Sequence, residues 1–162
     1  MGVLSDLVEQ YFKANDWDYE CSSSEEGLFL AGIEAENSEF DVVVHADDSV
    51  NQLTCFCICQ EPVPEEMMNA VAEYIIRVNF SNVLAVYDMD FDEGSIRMRS
   101  SINVVDMTPT PEMVDTVIHG SITMADVYYP GLMAVIAEEM SPEEAYESCM
   151  NNLQNLFDED DE

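Results

Sequence analysis

The stretch Phe40-Asp41-Val42-Val43-Val44-His45-Ala46, then Asp47-Asp48-Ser49, then Val50 to Gln60 with Leu53-Thr54-Cys55-Phe56-Cys57-Ile58-Cys59 at its centre, decides the fold. Phe40, Val42 and Val44 recur at period two, the spacing of one face of a strand. Asp47-Asp48-Ser49 is a run of turn formers whose short side chains bond their own backbone. In the second arm Cys55, Cys57 and Cys59 alternate with Phe56 and Ile58, so this strand reads as apolar on both sides. A further arm, Leu28 to Glu34, follows the turn Ser22-Ser23-Ser24-Glu25-Glu26-Gly27. Strands this close in sequence predict an antiparallel meander.

Helical spacing brackets the meander. Leu4, Leu7, Val8 and Tyr11 predict a helix over about Leu4 to Ala14, stopped by Asn15 and Asp16. Pro62 and Pro64 end the meander, and Pro64-Glu65-Glu66 opens a second helix. That helix carries Met67, Met68, Val71, Ala72, Ile75, Ile76 and Asn79. Two more strands are predicted over Asn82 to Asp90 and Ser95 to Asp106, joined by Asp92-Glu93-Gly94. Thr108-Pro109-Thr110-Pro111-Glu112 begins a third helix, lined by Met113, Val114, Val117, Ile118, Ser121, Ile122 and Ala125. Pro130 and Gly131 are expected to interrupt it and to start a short separate helix to about Met140. Ser141-Pro142-Glu143-Glu144 is a capping box, so a last helix runs from there to about Phe157. The expectation is one α+β domain, residues 1–157, in the order αβββαββα with extra helix at the C-terminus. It holds an antiparallel sheet of about five strands with helices packed on it. Asp158-Glu159-Asp160-Asp161-Glu162 is expected to be a disordered acidic tail.

Thirty-five Asp and Glu stand against four Lys and Arg in 162 residues, a formal net charge of −31. The hydrophobic fraction of 48% separates this chain from acidic disordered sequences. The charge opposes nucleic acid and anionic membrane surfaces as partners. Met1 to Gln10 hold Asp6 and Glu9 and no base, so no signal peptide is read, and no apolar run reaches membrane-spanning length. A cytoplasmic location is the expectation. The bases are Lys13, Arg77, Arg97 and Arg99, and residues 100–162 contain none. Arg97 and Arg99 share a strand face and are expected to pair with nearby carboxylates. The remaining acidity reads as a solvated surface, as adaptation to a salty interior, or as a field steering in a basic or partly unfolded polypeptide. The eleven methionines are expected to be mainly core, and any exposed one would favour peptide binding.

No catalytic constellation emerges. Five cysteines, with three of them spaced by one residue, match neither a disulfide framework nor a zinc site and read as core packing. His45 reads as a solvated loop residue and His119 as a helix-surface or hydrogen-bonded core residue. Asp88-Met89-Asp90-Phe91-Asp92-Glu93-Gly94 imitates a calcium loop at three positions. Glu93 then stands where glycine is needed and Arg99 where the bidentate carboxylate belongs. No catalytic, cofactor-binding or metal residue is therefore assigned and no cofactor is expected. A calcium-responsive acidic protein is kept as the alternative.

Ile75, Arg77, Val78 and Asn79, then Asp92-Glu93-Gly94-Ser95-Ile96-Arg97-Met98-Arg99, the Pro-Thr-Pro-Glu helix start, and Asp126-Val127-Tyr128-Tyr129-Pro130-Gly131-Leu132 follow one another in an order that resembles the YbjN domain family. The resemblance covers about Val3 to Glu147. It implies a bacterial sensory-transduction regulator with a fold similar to type III secretion chaperones. It also implies a non-enzymatic, cytoplasmic protein that binds a protein or peptide client, with the Pro64 to Phe80 helix as a homodimer face. The resemblance carries no catalytic residues. The scarcity of bases and the acidic tail are departures from usual members.

Overall fold

The computed structural model describes the backbone of residues 2–159 and the side chains of residues 2–155. The chain order is α1 (Val3–Ala14), β1 (Glu20–Cys21), β2 (Leu28–Glu34), β3 (Glu39–Asp47), β4 (Gln52–Cys59), α2 (Met68–Ser81), β5 (Val86–Met89), β6 (Ile96–Asn103), α3 (Pro111–Ile136) and α4 (Pro142–Glu159). A single 3-10 turn, Glu65–Met67, leads into α2. The sheet is six-stranded and antiparallel throughout, in the order β1-β2-β3-β4-β6-β5. The predicted α+β meander is thus the structure, with one strand more than expected. That strand, β1, is two residues long, too short to show a period in sequence.

Two other expectations are corrected. Strand formation begins only at Val86 and ends at Asn103, so 82–85 and 104–106 are connections. Pro130 also does not break the third helix: α3 runs without interruption from Pro111 to Ile136. A proline lacks the N–H that would bond the carbonyl four residues back, here Asp126. The Asn37 side chain, from the turn between β2 and β3, donates to that carbonyl at 3.3 Å. The helix keeps its partner count and its apolar stripe continues through Tyr128, Leu132 and Val135, all buried. It ends at Ile136, and two residues on Glu138 has φ 57°, a left-handed conformation in which a helix cannot continue. The last helix starts with the expected box: the Ser141 N–H donates to Glu144 Oε2 at 2.9 Å and the Glu144 N–H to Ser141 Oγ at 3.2 Å. It continues to Glu159, so residues 158 and 159 of the expected tail are helical, and residues 160–162 lie outside the described residues.

All the buried sheet side chains lie on one face. Phe29, Phe40, Val42, Val44, Leu53, Cys55, Cys57, Tyr87, Ile96 and Met98 meet the apolar faces of the helices in a single core. Phe12 stacks on Tyr19 with ring centroids 5.0 Å apart, and Tyr11 meets Trp17 edge-on at 5.5 Å, which ties α1 to the chain entering β1. At the far edge, Asn79 of α2 accepts from the Tyr87 N–H at 2.7 Å and donates to the Tyr87 carbonyl at 3.0 Å. That amide occupies the outward backbone groups of β5, so a foreign strand finds this part of the edge already paired.

The start of α1 has no cap of its own, because its N-cap is Gly2. Asp48, from the turn between β3 and β4, takes that role. Its carboxylate accepts from the Leu4 N–H at 2.9 Å, the Ser5 N–H at 3.2 Å and the Ser5 hydroxyl at 2.7 Å. A Cβ at residue 2 would lie 2.2 Å from Asp48, so glycine is required for the approach. Partial burial pushes the Asp48 carboxyl up, but these hydrogen bonds outweigh it and hold its pKa below the ordinary value. A depressed carboxylate stabilises fully above its unfolded pKa, and the contribution disappears as pH falls through the folded value. Asp48→Asn is expected to cost about 1 kcal/mol at pH 7. The same substitution should cost nothing once the wild-type carboxyl is protonated. Denaturant melts of both proteins in steps from pH 7 down through the acid range check this, and a pH-independent difference would refute the charged cap.

Candidate protein-docking face

Side chains alternate across a strand, so the residues between the core positions form the opposite face of the sheet. The register assembles them into rows. Leu30, Val43, Phe56, Arg99 and Val86 lie side by side across β2, β3, β4, β6 and β5. Gly32, Asp41, Ile58, Arg97 and Asp88 form the next row. Every one of these ten residues is half-buried or exposed, and the core residues between them are buried. The sheet is therefore covered on one side. On the other, Leu30, Val43, Phe56 and Ile58 present an apolar strip, with Leu30 at 40% exposure.

A shallow depression of about 710 Å³ lies at one end of the strip, floored by Leu30, Val43 and Ile58 and rimmed by Asp18, Glu20 and Asp41. Gly32 opens it, because a Cβ there would meet nothing within 4 Å. At the other end stand the two arginines expected to pair with carboxylates, and they do. Arg99 grips Asp88 with two hydrogen bonds, 2.8 and 3.2 Å, and Arg97 reaches the same carboxylate at 3.4 Å. The Arg97 guanidinium lies 4.2 Å from the centre of the Phe56 ring, a cation–π contact. Partial burial pushes the Asp88 carboxyl up, but the two guanidinium groups outweigh it and lower its pKa.

The imitation calcium loop is engaged otherwise. Asp88 is held by the arginines, and Asp90 accepts from the Asp92 N–H at 2.8 Å and the Glu93 N–H at 3.4 Å, closing a turn. Gly94 there has φ 73°, and its carbonyl accepts from Val63 at 2.8 Å. Among the described residues no group of three or more His, Cys, Asp or Glu is placed to hold a metal ion. Cys55, Cys57 and Cys59 are buried on the core face, and burial pushes the Cys55 thiol up to about 12 and the Cys59 thiol up to about 11. Such thiols are neutral and inert at physiological pH. His45 sits on the open face with its Nε2 3.5 Å from Glu25 Oε1, and His119 is exposed on α3. Among the described methionines, Met107 and Met140 are exposed, at 53% and 40%, in the connections from β6 to α3 and from α3 to α4.

The strip itself was not assigned from sequence. Its signal was the pair Phe56 and Ile58, read as a second buried face. Helix placement was the missing constraint, since α1, α2 and α3 all pack on the core face and α4 packs on α2 and α3.

The model of the YbjN family, described as "putative bacterial sensory transduction regulator", matches residues 4–133. Among curated proteins no match is found. Among solved structures the fold is similar to that of YbjN from E. coli, described as "a putative transcription regulator". Identity is 14%, the TM-score is 0.55, and the likeness covers 83% of this chain and 90% of that one. An identity that low speaks for the fold alone. The family model, however, spans α1 through most of α3 and takes in every strand of the sheet. The chain belongs to the YbjN family.

Proposed function

We propose that the protein is a non-enzymatic regulatory module that acts in the cytoplasm by binding a polypeptide on the uncovered face of its sheet. The observation that carries this reading is the strip Leu30, Val43, Phe56 and Ile58, left open on a chain of net charge −31. An apolar strip with a polar, charged border is the usual composition of an interaction surface. The family description agrees with a regulatory role. No helix among the described residues is long and apolar enough to cross a membrane.

The test is capture of partners from a bacterial lysate by the intact protein and by Phe56→Ser, each at low and near-physiological salt. A stoichiometric partner retained by the wild type and lost by Phe56→Ser is the expected result. Equal capture by both proteins, or none by either, would reject the face as the binding surface.

A second reading, self-association, is favoured by one observation. Ile76 and Phe80 in the second half of α2 and Val83 just beyond it are 66%, 95% and 99% exposed, and no acid occurs between Glu73 and Asp88. Light scattering is expected to show a dimer that Phe80→Glu dissociates; a monomer mass at high concentration would remove this reading.

A further inference from the structure

We propose that the occupant of the open face is a helix bearing a basic side chain and, seven residues along, an acidic one, with apolar side chains between. This rests on the reading of that face as the binding surface. The second row of the face supplies the charges. The Asp41 carboxylate has no hydrogen bond or ion pair among the described residues, and it stands beside Asp18 and Glu20 at the depression. Arg97 stands two strands away in the same row, on the far side of Ile58. One carboxylate, Asp88, faces two guanidinium groups and bonds Arg99 the more closely. Arg97, 43% exposed and stacked on Phe56, keeps donors for another carboxylate.

The spacing selects the occupant's conformation. Two strand separations place Asp41 and Arg97 roughly 10 Å apart. An α-helix covers about that distance in seven residues, and positions i and i+7 lie on one face with i+3 and i+4 between them. An extended segment reaches about 10 Å in three residues, which puts the two charges on opposite faces. The helix offers both charges to the sheet while i+3 and i+4 rest on Ile58, beside the Phe56 on which Arg97 stacks. The direction of the helix is free, because either end can carry the base.

The probes are fluorescent, lactam-stapled helical peptides of one sequence, with Leu at i+3 and i+4, Lys at i, and either Glu or Gln at i+7. Against a protein of net charge −31, the general field disfavours the Glu peptide. The proposal reverses that order: by anisotropy, wild type is expected to bind the Glu peptide about two- to fivefold more tightly than the Gln peptide. Arg97→Gln should abolish the preference, and Asp41→Asn should abolish the matching preference for Lys over Gln at i. A melt of each variant establishes that it is folded, and Arg97→Lys, which keeps the charge, should retain part of the preference. Binding lost with Phe56→Ser but indifferent to Glu against Gln would overturn the charge pairing and leave the docking face standing. Binding that ignores Phe56→Ser, or no binding of either peptide, would overturn both.

Discussion

Asp126→Ala is expected to lower the unfolding free energy by about 3 kcal/mol, a fall in Tm of roughly 6–12 °C for a chain of this size. Asp126 is the one acidic side chain buried among the described residues, at 9% exposure, and no base stands beside it. Its charge is balanced by hydrogen bonds from a single turn. The Asn37 N–H donates to Oδ1 at 2.8 Å and the Asn37 side chain donates to Oδ2 at 3.0 Å. The same Asn37 amide satisfies the Asp126 carbonyl that Pro130 leaves without a helical donor. Removing the carboxylate strands the Asn37 N–H and loosens the amide that keeps α3 continuous. Hydrogen bonds to charged groups contribute about 1.5–3 kcal/mol, so loss of two of them sets the scale. Asn37→Ala should cost a comparable amount, and the double substitution clearly less than the sum, because both act on one cluster. Chemical denaturation of the four proteins measures this. A loss below about 0.5 kcal/mol for Asp126→Ala would show that the buried carboxylate is idle.

That cluster also explains where sequence reading succeeds and where it stops. The stripe through Ala125, Tyr128, Leu132 and Val135 holds helical spacing across Pro130, so the continuity of α3 was visible in the apolar positions. The rule against internal proline pointed the other way, and it is overridden by Asn37, far away in sequence. No local pattern announces such a partner. The meander was legible because period two and the turn residues between 28 and 60 are local signals, and β2 begins and ends where the spacing places it. β1 was not, since Glu20 and Cys21 are strand only by pairing with Leu30 and Phe29. The docking face lies between these cases. Alternation divides Cys55 from Phe56 correctly, but which side the helices cover is a property of the assembled layers. Asp48 is a similar case: it reads as a turn residue, and only the folded chain brings it to the start of α1.

Gly131→Ala is expected to destabilise the protein by about 2 kcal/mol, against its local propensity. Glycine inside a helix costs about 0.5–1 kcal/mol relative to alanine, so the substitution should help if space allowed it. It does not, because α2, α3 and α4 meet at this point. The Tyr74 side chain is fully buried, and its hydroxyl donates to the Tyr128 carbonyl at 2.7 Å and lies 3.6 Å from the Cys149 sulfur. A Cβ on Gly131 would stand 2.4 Å from that hydroxyl, 2.8 Å from the Cys149 Sγ and 2.9 Å from the Tyr74 Cζ. None of these atoms is the free end of a flexible chain, since the ring is packed and its hydroxyl is committed. Overpacking of this kind costs typically about 1–3 kcal/mol. The closest of the three clashes is removable. In a Tyr74→Phe background the Gly131→Ala penalty should shrink by about 1 kcal/mol, although Tyr74→Phe alone loses the bond to Tyr128. Gly131→Val, with two further carbons in the same space, should cost more than alanine in either background. Thermal and denaturant melts of the set give the coupling directly. A neutral or stabilising Gly131→Ala would mean that the three helices can separate without loss. Packing around Tyr74 would then not be what fixes their arrangement on the covered face of the sheet.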